Sequence, residues 1–249
     1  VYGQGTVVTI TIPQRIVDSR TIAEAPDSSA RELEEMGVRC PVRVTADPVF
    51  HLEAAPPQRG EELLARAGLT PGTPFAAVSV RTWKNTEAFW PRLARLCDHL
   101  RRVHGLGVLF LLMQPDRDRE VTARVQACME EPSHVLDLTC SPRELMAVLG
   151  RSRLCLAMRL HTLIFAARMA VPTLGLVYDP KVSSYLEELG LPSAGEVESF
   201  DGEEAIRRTD ALLADYDGVL ARLREKSAQL TQAARENERL LLELLEGTK

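Results

Sequence analysis

The residues best suited to chemistry are Arg81, Gln114, Arg159, His161 and Lys181, and each follows closely on an apolar run of strand character. Arg81 stands in Ser79-Val80-Arg81-Thr82-Trp83-Lys84. A guanidinium there can hold a carboxylate or a phosphate through two parallel N–H···O bonds; it can equally be a surface arginine on a loop. Gln114, in Met113-Gln114-Pro115-Asp116, can donate to a ligand or cap the next helix. The densest group is Met158-Arg159-Leu160-His161-Thr162, which passes from a buried strand directly into a buried helix. A cation and an imidazole are costly there unless they face a cleft. The helix start adds free N–H groups and partial positive charge, both suited to an anion. Arg159 can neutralise that anion, and an imidazole can move a proton near neutral pH. The alternative is a satisfied structural His161, with Arg159 paired to a core carboxylate. Lys181 follows Tyr178-Asp179-Pro180 and falls in a first helical turn. A cation is unfavourable there unless an anion offsets it, and a solvated lysine is the other reading. Together Arg81, Arg159, His161 and Lys181 predict one electropositive rim. No Asp/Glu/His grouping has metal-ligand spacing, and neither a GxGxxG nor a P-loop motif occurs.

These residues can meet only if the fold brings strand ends to a common edge. The hydrophobic pattern predicts strands at 75–80, 108–113, 135–138, 154–157 and 173–177. Helices are predicted at 89–104, 117–129, 142–149, 160–170 and 181–189. Ser141 followed three residues later by Glu144 has the pattern of a capping box. Strands without polar alternation, each followed by a helix, predict an α/β doubly wound, Rossmann-like parallel sheet covered on both faces. Ligands of such sheets bind beyond the carboxyl ends of the strands.

Ahead of this unit, residues 1–5 read as a strand ending in a glycine turn, 6–12 as a strand, 28–36 as a helix closing at Gly37, and 42–45 as a short strand. A domain rarely starts at such a glycine turn, so residues ahead of Val1 are expected. Residues 51–60, with Pro56 and Pro57, read as a linker, and 61–67 as a short helix. From Asp201 onward the chain is helical. Val219, Leu223, Leu230, Ala234, Leu241 and Leu245 form an apolar stripe that must pack on something. A helix crossing back to a partner domain is favoured over a coiled-coil homo-oligomer, because Lys226 and Asn237 would interrupt a coiled-coil seam.

The 249 residues are 45% apolar and 26% charged, with net charge −5. That balance excludes a surface built for nucleic acid, so an anionic ligand needs a local site. The five cysteines are odd in number and lack CxxC spacing. They read as buried free thiols of a cytoplasmic protein, with Cys97 and Cys128 on apolar helix faces and Cys155 in a strand. No apolar run reaches the roughly 18 residues that span a bilayer.

The same turns resemble the polysaccharide pyruvyl transferase family, in particular the bacterial type that pyruvylates cell-wall polysaccharide for anchoring surface-layer proteins. The matching stretches are VYGQG at 1–5, TADPVF at 45–50, SVRTW at 79–83, MQPD at 113–116, MRLHTLIFA at 158–166 and YDPKVSSYLEEL at 178–189. The resemblance implies a two-domain, GT-B-like fold. Residues 1–55 would belong to the N-terminal domain, 56–200 would form the donor-binding domain, and 201–249 would be helices packing back on the N-terminal part. It implies phosphoenolpyruvate as donor, a polysaccharide or lipid-linked saccharide as acceptor, and no metal or organic cofactor. Arg81, Arg159, Leu160 and His161 would bind the donor, and His161 would also be the acid–base residue; Gln114 and Lys181, read from their positions in the strand-to-helix turns, would stand beside them as donor-binding residues. A lipid-linked acceptor would place the enzyme at the inner face of the cell membrane. A GT-B cleft has two walls, so this chain is expected to bind donor and to need a second wall for turnover. A nucleotide-sugar glycosyltransferase of the same architecture, or a non-catalytic fragment of such an enzyme, are the competing readings.

Overall fold

The computed structural model of the chain describes residues 35–37, 43–84 and 86–247. Six strands form one all-parallel sheet: β1 (Phe75–Ser79), β2 (Gly107–Leu111), β3 (His134–Leu136), β4 (Leu154–Ala157), β5 (Thr173–Val177) and β6 (Ser193–Glu196). Their order is β3-β2-β1-β4-β5-β6. Helices α1 (Pro57–Arg66), α2 (Phe89–His104), α3 (Pro115–Cys128), α4 (Pro142–Leu149), α5 (Leu160–Arg168), α6 (Pro180–Leu189), α7 (Gly202–Ala214) and α8 (Tyr216–Gly247) complete the doubly wound arrangement. Every residue of β1, β2 and β4 is buried. This is why those segments read as unbroken apolar runs; helices cover both faces of such strands. Side chains such as Phe110 and Leu156, fully buried in the sheet, each contribute about 1.5–3 kcal/mol of hydrophobic stabilisation.

The winding reverses at β1. From β1 the chain passes outward through β2 to β3, then returns to β4 on the other side of β1 and continues to β5 and β6. The carboxyl ends of β1 and β4 therefore flank the topological switch point, where open α/β sheets form their binding crevice. Buried polar bonds fix these ends together. The Met158 N–H donates to the Ser79 carbonyl at 2.8 Å, and Thr162 Oγ1 donates to Ser79 Oγ at 3.1 Å. Ser79 and Thr162 are fully buried, so the end of β1 and the first turn of α5 are held as one piece.

Several expectations need correction. β6, with the sequence Ser193-Ala194-Gly195-Glu196, has no counterpart among the predicted strands; it is an edge strand in which only Ala194 is buried. The 142–149 helix and the 154–157 and 173–177 strands have the expected bounds, but α1, α3 and α6 begin at Pro57, Pro115 and Pro180, ahead of their first apolar positions. Proline suits the first helical position because its missing N–H would be unpaired there anyway. α5 stops at Arg168, not 170, since Ala170 takes a left-handed φ of 53° just ahead of Val171-Pro172. Residues 43–45 form no strand; they lead into a 3-10 turn at Pro48–His51. Cys97 and Cys155 are buried and burial pushes the Cys155 thiol up to about 12, whereas Cys128 is exposed, not buried as expected. The readings for residues 1–12, most of the 28–36 helix, and Cys40 lie outside the described residues. The end of that helix is seen as a turn at 35–37, closed by Gly37 at φ 90°.

The capping box forms as predicted: Ser141 accepts from the Glu144 N–H, and Glu144 accepts from the Ser141 N–H at 2.8 Å. The Ser141 backbone bond, then the Arg59 side chain at 2.7 Å, then the Ser141 hydroxyl hold the Glu144 carboxyl down to about 2 from its ordinary 4.5. A depressed carboxylate contributes stability above its unfolded pKa and loses it as pH falls through the folded value. Glu144→Gln is therefore expected to melt below the parent chain at neutral pH. In melting curves taken from pH 7 down, the gap should close between about pH 4.5 and about pH 2; a constant gap contradicts the assignment. α1 meets α4 closely here, because a Cβ on Gly60 would fall 2.7 Å from the Ala147 carbonyl.

α8 buries Val219, Leu223, Leu230 and Ala234, but Leu241 and Leu245 are exposed. Asn237 does not interrupt the packing. It lies 2.6 Å from Thr45 Oγ1 through its amide oxygen and donates to the Ala46 carbonyl at 2.9 Å. Among the described residues no helix is long and apolar enough to cross a membrane.

Candidate functional site

Four strand ends and the start of α4 enclose an open cleft of about 430 Å³ at the carboxyl edge of the sheet. Arg81, Gln114, Arg159, Leu160, His161 and Lys181 all line it, joined by Met113, Cys140, Pro142, Leu145, Phe165 and Tyr178. The parallel sheet explains the convergence: Arg81 follows β1, Gln114 follows β2, Arg159 follows β4 and Lys181 follows β5. Another hollow, of about 330 Å³, lies at the opposite edge between α1, the start of β1 and Arg151. Its charged residues Arg151 and Glu61 pair with each other at 2.8 Å, so it offers no free charge to a ligand.

The two arginines are held differently. Arg159 is the N-cap residue of α5, and its guanidinium donates through Nη2 to Asp118 Oδ1 and through Nη1 to Gln114 Oε1 at 3.0 Å. Asp118 is fully buried in α3, and its other oxygen accepts from the Gln114 N–H at 2.8 Å. Arg159 is thus paired with a core carboxylate, and it still lines the cleft; the two readings of Arg159 are compatible. Gln114 occupies the N-cap position of α3, but its side chain makes no cap bond and accepts from Arg159 instead. Two guanidinium bonds are used, leaving three of the five donors, and the buried Nε of Arg159 has no partner.

Arg81 has no carboxylate partner among the described residues. Its Nη1 donates to the Tyr178 hydroxyl at 3.1 Å, and its guanidinium carbon lies 4.9 Å from the Tyr178 ring centre and 5.8 Å from that of Trp83. The two rings meet edge-on at 4.8 Å. Aromatic faces hold a guanidinium in place without neutralising it, so Arg81 keeps its charge for a ligand. Its Nε is also buried and unpartnered.

His161 is exposed in the first turn of α5, with its ring 6.4 Å from Phe165. No side chain caps α5, so the N–H groups of that turn have no side-chain acceptor. α6, by contrast, is capped by Asp179, which accepts from the Lys181 N–H at 3.0 Å. Lys181 Nζ lies 3.8 Å from the same carboxylate. The expected electropositive rim is therefore corrected: the four groups share one cleft, but Asp118 offsets Arg159 and Asp179 offsets Lys181. Burial and the nearby Glu144 push the Cys140 thiol up, against Arg59 and Arg66, which keeps it protonated at the cleft wall.

Sequence reasoning missed Asp118, Trp83 and Tyr178. Asp118 carried a signal, since a carboxylate in the first turn of a helix that opens on Gln114 can reach back to that residue. Trp83 and Tyr178 sit on two different strand ends, and only the sheet order brings them together.

The family model for polysaccharide pyruvyl transferase matches residues 27–180. No curated protein matches the chain. Among solved structures, UDP-GlcNAc 2-epimerase from Neisseria meningitidis is 11% identical with a TM-score of 0.61, covering 93% of this chain and 69% of that one. A glycosyltransferase from Rickettsia africae is 11% identical with a TM-score of 0.56, covering 87% and 61%. ADP-heptose LPS heptosyltransferase II from E. coli is 12% identical with a TM-score of 0.52, covering 66% of this chain and 53% of its own. The chain thus spans about half the length of the heptosyltransferase. At these identities the likeness establishes the fold, which is that of GT-B glycosyltransferases. With the family model covering most of the chain, including the turns that carry Arg81, Gln114, Arg159 and His161, this protein belongs to the polysaccharide pyruvyl transferase family.

Proposed function

We propose that the cleft binds phosphoenolpyruvate and that the enzyme transfers its pyruvyl group to two hydroxyls of a polysaccharide as a ketal. Arg81 and Arg159 hold the donor's carboxylate and phosphate. Arg159 is kept in register by Asp118 and Gln114, and Arg81 by the two aromatic rings. The N–H groups at the start of α5 add to the anion site. His161 delivers a proton to the methylene carbon, which becomes a methyl group and leaves the central carbon electrophilic. One sugar hydroxyl attacks that carbon. A second hydroxyl closes the ring as the bond to phosphate breaks. Of the two hydroxyl protons, one replaces the proton given by His161 and the other leaves with inorganic phosphate. Lys181 lies where it can steady the departing phosphate. The scheme uses only acid–base and electrostatic groups of the chain.

The single observation that carries this reading is the sharing of one cleft by Arg81, Arg159 and His161 in a chain of this family. In the same proposal residues 56–200 are the donor-binding domain, 1–55 belong to the acceptor side, and 201–249 tie the two together. A lipid-linked acceptor would bring the enzyme to the cytoplasmic membrane face.

The competing donor is a nucleotide sugar, which calls for an acidic residue to take the ribose hydroxyls. Glu196 and Glu198 line a hollow beside Tyr178, but Glu198 already accepts from Trp83 Nε1 at 3.1 Å and lies 3.8 Å from Lys84. Thermal-shift measurements separate the donors. Phosphoenolpyruvate is expected to raise the melting temperature and UDP-sugars to leave it unchanged; the reverse pattern favours a glycosyltransferase.

A further inference from the structure

Two histidines of α2 and one aspartate of α7 converge at a place the proposed reaction does not use. His99 Nε2 lies 2.8 Å and His104 Nε2 2.7 Å from the same oxygen, Oδ1 of Asp210. The two imidazole rings lie 5.5 Å apart. One ligand atom from each residue falls within 4.8 Å of the others. Asp210 Oδ2 makes no hydrogen bond among the described residues. All three residues are partly buried, with side-chain exposures of 20%, 24% and 43%. Sequence spacing gave no sign of this group, since Asp210 is far along the chain and the two helices meet only in the fold.

We propose that His99, His104 and Asp210 form a binding site for a divalent d-block cation, best matched by Zn2+, that clamps α2 to α7. Two imidazole nitrogens and one carboxylate oxygen form the donor set that Zn2+ takes with water as fourth ligand. The absence of a dense oxygen cage selects against Ca2+ and Mg2+. A carboxylate only accepts hydrogen bonds, so each Nε2 facing Oδ1 carries the proton when no metal is bound. On binding, each imidazole moves its proton to Nδ1 or releases it, and the cation takes the place of both Nε2–H···O contacts. Nearby positive charge is already offset: Arg102 pairs with Glu130 and Glu131, and Arg95 with Glu203.

The site is structural by its position. His104 is the last residue of α2, and Gly105, at φ 64°, turns the chain toward the amino end of β2. That is the edge of the sheet opposite the cleft, so the cation cannot touch a ligand bound between Arg81 and Arg159. It would instead fasten α7, and with it the start of α8, to the body of the sheet.

The purified chain, stripped with chelator, is titrated with ZnCl2 by calorimetry and by melting. The expected result is one Zn2+ per chain and a rise in Tm of about 5–10 °C at a hundredfold excess over Kd. Co2+ in place of Zn2+ should show the visible absorption of a four-coordinate site. His99→Ala, His104→Ala and Asp210→Asn should each weaken Zn2+ binding by about 100-fold or more, and Cys128→Ser should leave it intact. Asp210→Asn keeps an oxygen facing both imidazoles, so it guards against a result caused by misfolding. Absence of stoichiometric binding, or binding that survives in all three variants, overturns the proposal. So does a fall in metal-free Tm with no effect of Zn2+, which would make the group an ion pair only.

Discussion

Arg159→Ala is expected to remove the thermal shift given by phosphoenolpyruvate, with affinity falling by about 100-fold. The guanidinium supplies charge-assisted bonds to the donor, each worth about 1.5–3 kcal/mol. The same substitution has a second effect that must be separated from the first. Asp118 is fully buried, and Arg159 is its only cationic partner among the described residues. Removing one member of such a pair strands the other charge, at a cost of about 3–5 kcal/mol. The single variant should therefore melt early with or without donor. In Arg159→Ala/Asp118→Asn the stranded charge is gone, while the amide oxygen that replaces the carboxylate can still accept from the Gln114 N–H. This double variant should recover most of the lost melting temperature and still show no shift with phosphoenolpyruvate. A restored donor shift would mean that Arg159 serves only to neutralise Asp118.

The second large effect falls on His161. His161→Ala should keep donor affinity within a few-fold of the parent and reduce phosphate release from phosphoenolpyruvate, with saccharide acceptor present, by about 100- to 10,000-fold. His161 is exposed and makes no hydrogen bond among the described residues, so its loss strands no partner and costs little stability. That contrast with Arg159 makes the pair informative. If His161→Ala weakens binding as much as it slows turnover, the imidazole is a binding group and the proton comes from elsewhere. Lys181, the Cys140 thiol and the Tyr178 hydroxyl are the other groups on the cleft wall that could supply it.

The sheet and the site were legible in the sequence to different depths, for physical reasons. β1, β2 and β4 are buried on both faces, so they had to be continuous apolar runs. β6 was not legible because an edge strand needs only one apolar side chain, and Ala194 supplies it. Helix starts were misplaced at α1, α3 and α6, where proline opened the helix ahead of the apolar stripe; at α4, which also opens on a proline, the Ser141 and Glu144 capping pattern marked the start. The cleft residues Arg81, Gln114, Arg159, Leu160, His161 and Lys181 could be found together because a parallel sheet delivers all its strand-to-helix turns to one edge. What no local pattern encoded was the pairing of those residues. Asp118 reaches Arg159 only because β2 and β4 flank β1, and Tyr178 reaches Arg81 only because β5 lies beyond β4. The same is true of His99, His104 and Asp210. The C-terminal stripe was half legible: its spacing marked the buried residues as far as Ala234, but it also implied burial for Leu241 and Leu245, which are exposed.

The most direct test of the donor cleft is a crystal structure of the chain grown with phosphoenolpyruvate. The expected result is one donor molecule between Arg81 and Arg159, its anionic groups on their free N–H donors, with His161 facing the methylene carbon. Donor bound elsewhere, or a cleft that admits a nucleotide sugar and excludes phosphoenolpyruvate, contradicts the account.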